Sequence, residues 1–249
     1  MPSQYDKIGK RYASMQDMPA DAPNIPSVLR VLPNVKGLNC LDLACGLGRY
    51  SRLLVEHGAQ RVVGIDLSDG MINAAKELAT DLPPEQRERL EFRTGDCSKP
   101  INIEGGPFDL IIAAWLLNYA PDYESMLSTW QNIYLNLKPG GQLIAIVPKL
   151  NMSMETPLDD RYGVIVEAIE KVKDGWKCRL TAYTDPPISF EPYHLSGEVY
   201  ERSAREAGMV DLQLHSHVFP EDERKYSGFW DVYNERPHFE IMMARRPEV

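Results

Sequence analysis

The chain has 249 residues, of which 43% are hydrophobic and 25% charged, a globular composition that predicts one sizeable buried core and excludes a disordered or fibrous chain. Its formal net charge of −9 disfavours a nucleic-acid partner, because displacing counterions from a phosphate backbone takes a Lys/Arg patch. No run approaches a membrane span, the stretch up to Tyr12 is polar rather than a signal peptide, and Cys40, Cys45, Cys97 and Cys178 show no metal-ligand spacing, so we expect a cytoplasmic protein with reduced thiols and no metal.

From residue 38 to 148 short apolar strands alternate with amphipathic helices, the pattern of βαβ units and a mostly parallel sheet. Strands are predicted at 39–44, 61–66, 90–95, 108–114 and 142–147. The helix after the second strand opens on Ser68, a good N-cap, and carries Met71, Ala75, Leu78 and Ala79 on one face. A later helix spaces Met126, Trp130, Ile133 and Leu137 the same way and stops at Lys138-Pro139-Gly140-Gly141.

Beyond Lys149 the rhythm changes. Leu158, Tyr162, Ile165, Val166, Ile169 and Val172 fall at helical spacing, and 176–193 alternates like short antiparallel strands, so 149–195 reads as a lid over the site. A helix at 197–207, a strand at 210–218, a polar helical stretch and a strand at 238–244 then complete the core. We expect a single domain with a cap at 1–35, a cofactor-binding core at 36–148, a substrate lid at 149–195 and core completion at 196–249.

The chemistry is concentrated where the first strand turns into a helix, at Leu41-Asp42-Leu43-Ala44-Cys45-Gly46-Leu47-Gly48-Arg49. Gly46 and Gly48 let backbone approach a ligand, and the free N–H groups of a helix start favour a carboxylate. Eighteen residues after Gly48, Asp66 ends the second strand, where an acid would accept both hydroxyls of a ribose. Gly46-Leu47-Gly48-Arg49-Tyr50-Ser51 is a dinucleotide fingerprint lacking its last glycine; Ser51, and Asp42 in the strand, disfavour a pyrophosphate and suit a ligand bearing an amine.

This segment resembles the first motif of class I S-adenosylmethionine-dependent methyltransferases, with Ala44 at the first glycine position. The resemblance extends through Asp66, Gly95-Asp96-Cys97, Phe108-Asp109-Leu110-Ile111 and Leu137-Lys138-Pro139-Gly140-Gly141, and is nearest to small-molecule enzymes of quinone and natural-product pathways, including a toxoflavin-pathway type. It implies a Rossmann-like α/β fold, a seven-stranded mostly parallel sheet with the last strand antiparallel, plus an inserted lid. It implies that the backbone of Ala44 and Gly46 holds the methionine portion, Asp66 the ribose diol, Asp96 the adenine amino group and the Cys97 N–H the adenine ring. The N-terminal Tyr5-Asp6-Lys7-Ile8-Gly9-Lys10-Arg11-Tyr12 is similar to a segment whose aromatic residues fold over the cofactor, which adds Tyr12. Asp42, Cys45, Gly48, Leu67, Met71 and Ala113 complete the expected cofactor set.

For the methyl acceptor we expect Trp115, Asn118 and Tyr119 after the fourth strand, with Trp176, Tyr183 and Tyr193 from the lid. His194 is the candidate general base. His215 and His217 share a strand face but have no partner set for a metal. The expected reaction moves a methyl group from S-adenosyl-L-methionine to an O or N atom of a small molecule, a secondary metabolite, leaving S-adenosyl-L-homocysteine. Two other readings stay open: an adenosylmethionine-binding regulatory protein without catalysis, and an NAD(P)-dependent oxidoreductase.

Overall fold

In the computed structural model, which describes residues 5–6, 8–155 and 160–249, seven strands form the central sheet. They are β1 (Asn39–Leu43), β2 (Arg61–Asp66), β3 (Leu90–Thr94), β4 (Phe108–Ala114), β5 (Leu137–Pro148), and, after four lid strands numbered below, β10 (Val210–His215) and β11 (Phe239–Arg245). Their order is β10-β11-β5-β4-β1-β2-β3, with β11, last in the chain, antiparallel to both neighbours and the other pairs parallel. The reversal between β1 going to β2 and β1 going to β4 opens a crevice at the carboxyl end of β1, where ligands of such sheets bind.

Both faces of the central strands β1, β4, β5 and β11 are buried, as their largely apolar sequences require, whereas the edge strand β10 is mostly exposed. Leu41, Leu43, Ile111 and Ala113 face one cluster together with Trp130 and Ile133 of α5 (Tyr123–Asn136) and Tyr200 of α6 (Gly197–Glu206). Cys40, Leu110, Ile112 and Ile144 face the other, with Val28 of α1 (Asn24–Val31), Leu54 of α2 (Arg49–Glu56) and Tyr233 of α7 (Asp231–Glu235). Each such large apolar side chain contributes about 1.5–3 kcal/mol by leaving water. The remaining helices are α3 (Asp69–Leu78), capped as expected by the Ser68 Oγ accepting the Met71 N–H at 3.2 Å, and the short α4 (Pro84–Arg87).

Several boundaries differ from the sequence reading. β1 ends at Leu43 because Ala44 turns to a left-handed φ of 58°. β5 begins at Leu137, so the Pro-Gly-Gly segment lies inside its start rather than before it. β10 stops at His215 instead of 218, and the final strand covers Phe239–Arg245.

The helix expected across 158–172 is a strand. β6 (Val164–Val172) pairs antiparallel with β7 (Gly175–Ala182) across a Lys173-Asp174 turn, and β8 (Ile188–Phe190) and β9 (Tyr193–Leu195) both pair with β7. The register shifts between Ala168 and Glu170, so Ile169 breaks the two-residue alternation and leaves apolar residues three and four apart, a helical spacing built by a bulge. β-branched Val164, Ile165 and Val166 favour the extended form. Tyr162 belongs to a separate turn and stacks on Trp230, while Leu158 lies outside the described residues.

Candidate active site

The turn from β1 to α2 builds the centre of the site. Gly48, at φ 71°, starts α2; a Cβ there would meet the Phe92 ring at 2.7 Å, so only glycine lets the turn lie against β3. Ala44 holds its left-handed φ without that freedom, a conformation roughly 1–2 kcal/mol unfavourable for an L-residue. The surrounding hydrogen bonds over-determine it. Cys45 N–H donates to Ile65 O at 2.9 Å, and Gly46 N–H donates to Asp66 Oδ2 at 2.9 Å.

Asp66 therefore ties two elements together: its Oδ1 accepts the Ser68 N–H at 2.9 Å, at the start of α3. It is buried, and burial raises its carboxyl above the usual range, opposed by the Ser68 and Gly46 N–H groups. Each carboxylate oxygen retains acceptor capacity for a hydroxyl.

Asp42 is fully buried beneath the turn and does not line the cavity there, contrary to a placement beside the ligand amine. Its Oδ2 accepts the Ser51 hydroxyl at 2.6 Å, which explains why Ser51 replaces a third glycine: it locks α2 onto β1. Burial pushes the Asp42 carboxyl up to about 7. Gly48 and Ala113 are likewise absent from the cavity lining, the first packed on Phe92 and the second fully buried in β4.

The cavity at this turn has a volume of about 390 Å³. The segment Ala44, Cys45, Gly46 and Leu47 lines it, as do Asp66, Leu67 and Met71 at the end of β2 and on α3. Asp96 and Cys97 follow β3. Although burial opposes it, hydrogen bonds from Ser98 and the nearby Lys99 hold the Asp96 carboxyl below its ordinary value. Burial pushes the Cys97 thiol up to about 12 and raises that of Cys45, so both stay protonated packing groups. Tyr12 reaches the cavity from the N-terminal segment, joined by Tyr5, whose hydroxyl hydrogen-bonds the Tyr119 hydroxyl.

A second cavity, of about 120 Å³, opens against the lid. Six residues line both: Tyr5, Tyr12, Asp21, Asn24, Trp115 and Tyr119. Asn118, Tyr193 and His194 line the second alone. His194 is buried, and desolvation lowers its pKa below the ordinary value, so its imidazole is neutral near pH 7. Trp176 and Tyr183 do not reach it: alternation on β7 gives Cys178 and Leu180 to the cavity, Trp176 lies beyond its end beneath the Lys171 ammonium, and Tyr183 is half exposed.

Asp21 and Asn24 escaped the sequence reading. An Asp three residues before an Asn-Ile-Pro helix start looks like ordinary capping chemistry, and only the tertiary ion pair of Asp21 with Arg49 brings it to the site. Met15, Met18, Met152 and Met154 line the second cavity, and apolar methionines carry no signal that separates pocket from core. Among the described residues no group of His, Cys, Asp and Glu could hold a metal, and no helix is long and apolar enough to cross a membrane.

A family profile described as a methyltransferase domain matches residues 40–141, the segment that builds the turn and both flanking strands. An uncharacterized protein of Haemophilus influenzae is 32% identical over 237 residues, covering 90% of this chain and 87% of that one. The demethylmenaquinone methyltransferase of Lactococcus lactis is 32% identical over 120 residues, 47% of this chain and 45% of that enzyme. In three dimensions the chain is similar to an S-adenosylmethionine-dependent methyltransferase from Mesorhizobium loti, with a TM-score of 0.67 at 22% identity over 92% of this chain and 100% of that one. The turn, the switch point beside it and these likenesses agree: the chain belongs to the class I S-adenosylmethionine-dependent methyltransferases.

Proposed function

We propose that the larger cavity holds S-adenosyl-L-methionine and the smaller one a small-molecule acceptor, which is methylated on an O or N atom as part of secondary metabolism in the cytoplasm. The observation that carries this reading is the shared lining: two cavities, one at the β1 turn and one under the lid, meet at Tyr12, Asp21, Asn24 and Trp115. At about 390 Å³ the cavity at the turn is also the roomier of the two, as an adenosyl amino acid requires.

In this reading the turn of Ala44 and Gly46 borders the amino-acid end, with the Gly46 N–H already given to Asp66 Oδ2. Asp66 receives the ribose hydroxyls on the lone pairs its backbone donors leave, and Asp96 and the Cys97 N–H meet the base. Asp42 acts from below by fixing the turn. When bound, the sulfonium supplies an electrophilic methyl group; the protein aligns the nucleophile with it and keeps water out, and orientation alone is worth effective molarities of about 10⁵ M or more. His194, neutral and within the acceptor cavity, is available to take a proton from a weakly acidic acceptor. We read the chain as one unit, with 1–35 as cap, 36–148 as cofactor core, 149–195 as lid and 196–249 as sheet completion.

The test is release of S-adenosylhomocysteine from a panel of small acceptors, followed by mass spectrometry of the product. Methylation dependent on one acceptor class supports the reading. Equal activity on RNA or protein, with none on small molecules, would contradict it.

A further inference from the structure

Asn24 is 3% exposed, and its side-chain amide is oriented by what it touches: Nδ2 donates to Asp21 Oδ1 at 2.7 Å, and Asp21 is itself held by the Arg49 guanidinium. That chain of contacts leaves Asn24 Oδ1 as a fixed acceptor with no hydrogen-bond partner among the described residues, at a position lining both cavities. A buried acceptor without a partner is costly, and native structures retain few of them. Asn118, in the acceptor cavity, also carries a buried Oδ1 without a partner among the described residues.

Apart from Asp21 and the imidazoles of His194 and His238, the rest of that cavity is mostly aromatic and apolar. Tyr12, Trp115, Phe190 and Phe239 offer ring faces and edges, and no Lys or Arg lines it among the described residues. Its one carboxylate, Asp21, already has Arg49 as counter-ion. A phosphate or carboxylate would find no Lys or Arg there to offset its desolvation. At about 120 Å³ the cavity is the smaller of the two, which favours one or two rings over an acceptor with a long tail.

We propose that the acceptor is an uncharged, flat, one- or two-ring molecule whose O–H donates to Asn24 Oδ1 where the two cavities meet. This rests on the methyltransferase reading above. The carbonyl of Asn24 takes no proton; it orients the acceptor so that a lone pair of the donor atom points toward the cofactor cavity. As the sulfonium–methyl bond breaks and the oxygen–methyl bond forms, the hydroxyl proton passes to the His194 imidazole lining the same cavity, so the product no longer satisfies Asn24 and is held less tightly than the acceptor.

The experiment is calorimetry on the full chain saturated with S-adenosylhomocysteine, using 1-naphthol, its donor-less isostere 1-fluoronaphthalene, and 1-naphthyl phosphate. 1-Naphthol is expected to bind about tenfold more tightly than either comparison compound. In Asn24→Leu the preference of 1-naphthol over 1-fluoronaphthalene is expected to fall to about one, and the wild-type comparison stands by itself if that variant does not fold. Equal binding of 1-naphthol and 1-fluoronaphthalene, tightest binding of the phosphate ester, or binding of none of the three while S-adenosylhomocysteine binds, overturns the proposal. Failure of S-adenosylhomocysteine itself to bind overturns the parent reading and this one with it.

Discussion

At the scale of single residues the site is held by carboxylates with different tasks. Asp42 is the pH-sensitive one. Its folded pKa of about 7 lies above the unfolded carboxylate range, so between pH 4 and 7 the folded state binds one proton more than the unfolded state and stability falls as pH rises. Asn at this position can still accept the Ser51 hydroxyl but does not titrate. Thermal melts of wild type and Asp42→Asn from pH 4 to 8 should therefore diverge, wild type losing stability relative to the variant up to about pH 7 and no further above it; parallel curves would mean an unperturbed carboxyl. Ala44 gives a second prediction. Its left-handed φ of 58° suits glycine, so Ala44→Gly should gain roughly 1 kcal/mol in denaturant unfolding, while Gly48→Ala, meeting Phe92 at 2.7 Å, should lose at least that much.

At the scale of elements, the strand-turn-helix at β1 was legible because buried strands, glycines and an acid at fixed offsets report local constraints. The lid was not. A bulge at Ile169 gave β6 the apolar spacing of a helix, and the pairing with β7 that decides the matter is a tertiary fact. Trp176 and Tyr183 were read as pocket residues from aromatic character alone, which does not say which end of a strand the cavity reaches. The N-terminal segment was expected to cover the cofactor, but its polar members Asp21 and Asn24 were invisible without Arg49 beside them. Since Tyr12, Asp21 and Asn24 line both cavities, removing residues 1–24 should weaken S-adenosylhomocysteine binding by tenfold or more as well as abolish turnover, with the β-sheet signal in circular dichroism retained. Unchanged affinity in the truncated protein would detach this segment from the cofactor cavity.

At the scale of the whole molecule, the account depends on one carboxylate joining the β1 turn, the start of α3 and the ribose of a bound nucleoside. Asp66 makes the first two contacts at 2.9 Å each. Replacing it with Ala removes charge-assisted bonds worth about 1.5–3 kcal/mol each before compensation, so some loss of melting temperature is expected along with loss of ligand. Calorimetric titration of S-adenosylhomocysteine into folded wild type and folded Asp66→Ala, below the melting point of both, is the most direct measurement. The account predicts one site per chain in wild type and at least tenfold weaker binding in the variant; no binding to wild type, or equal affinity in both proteins, would contradict it.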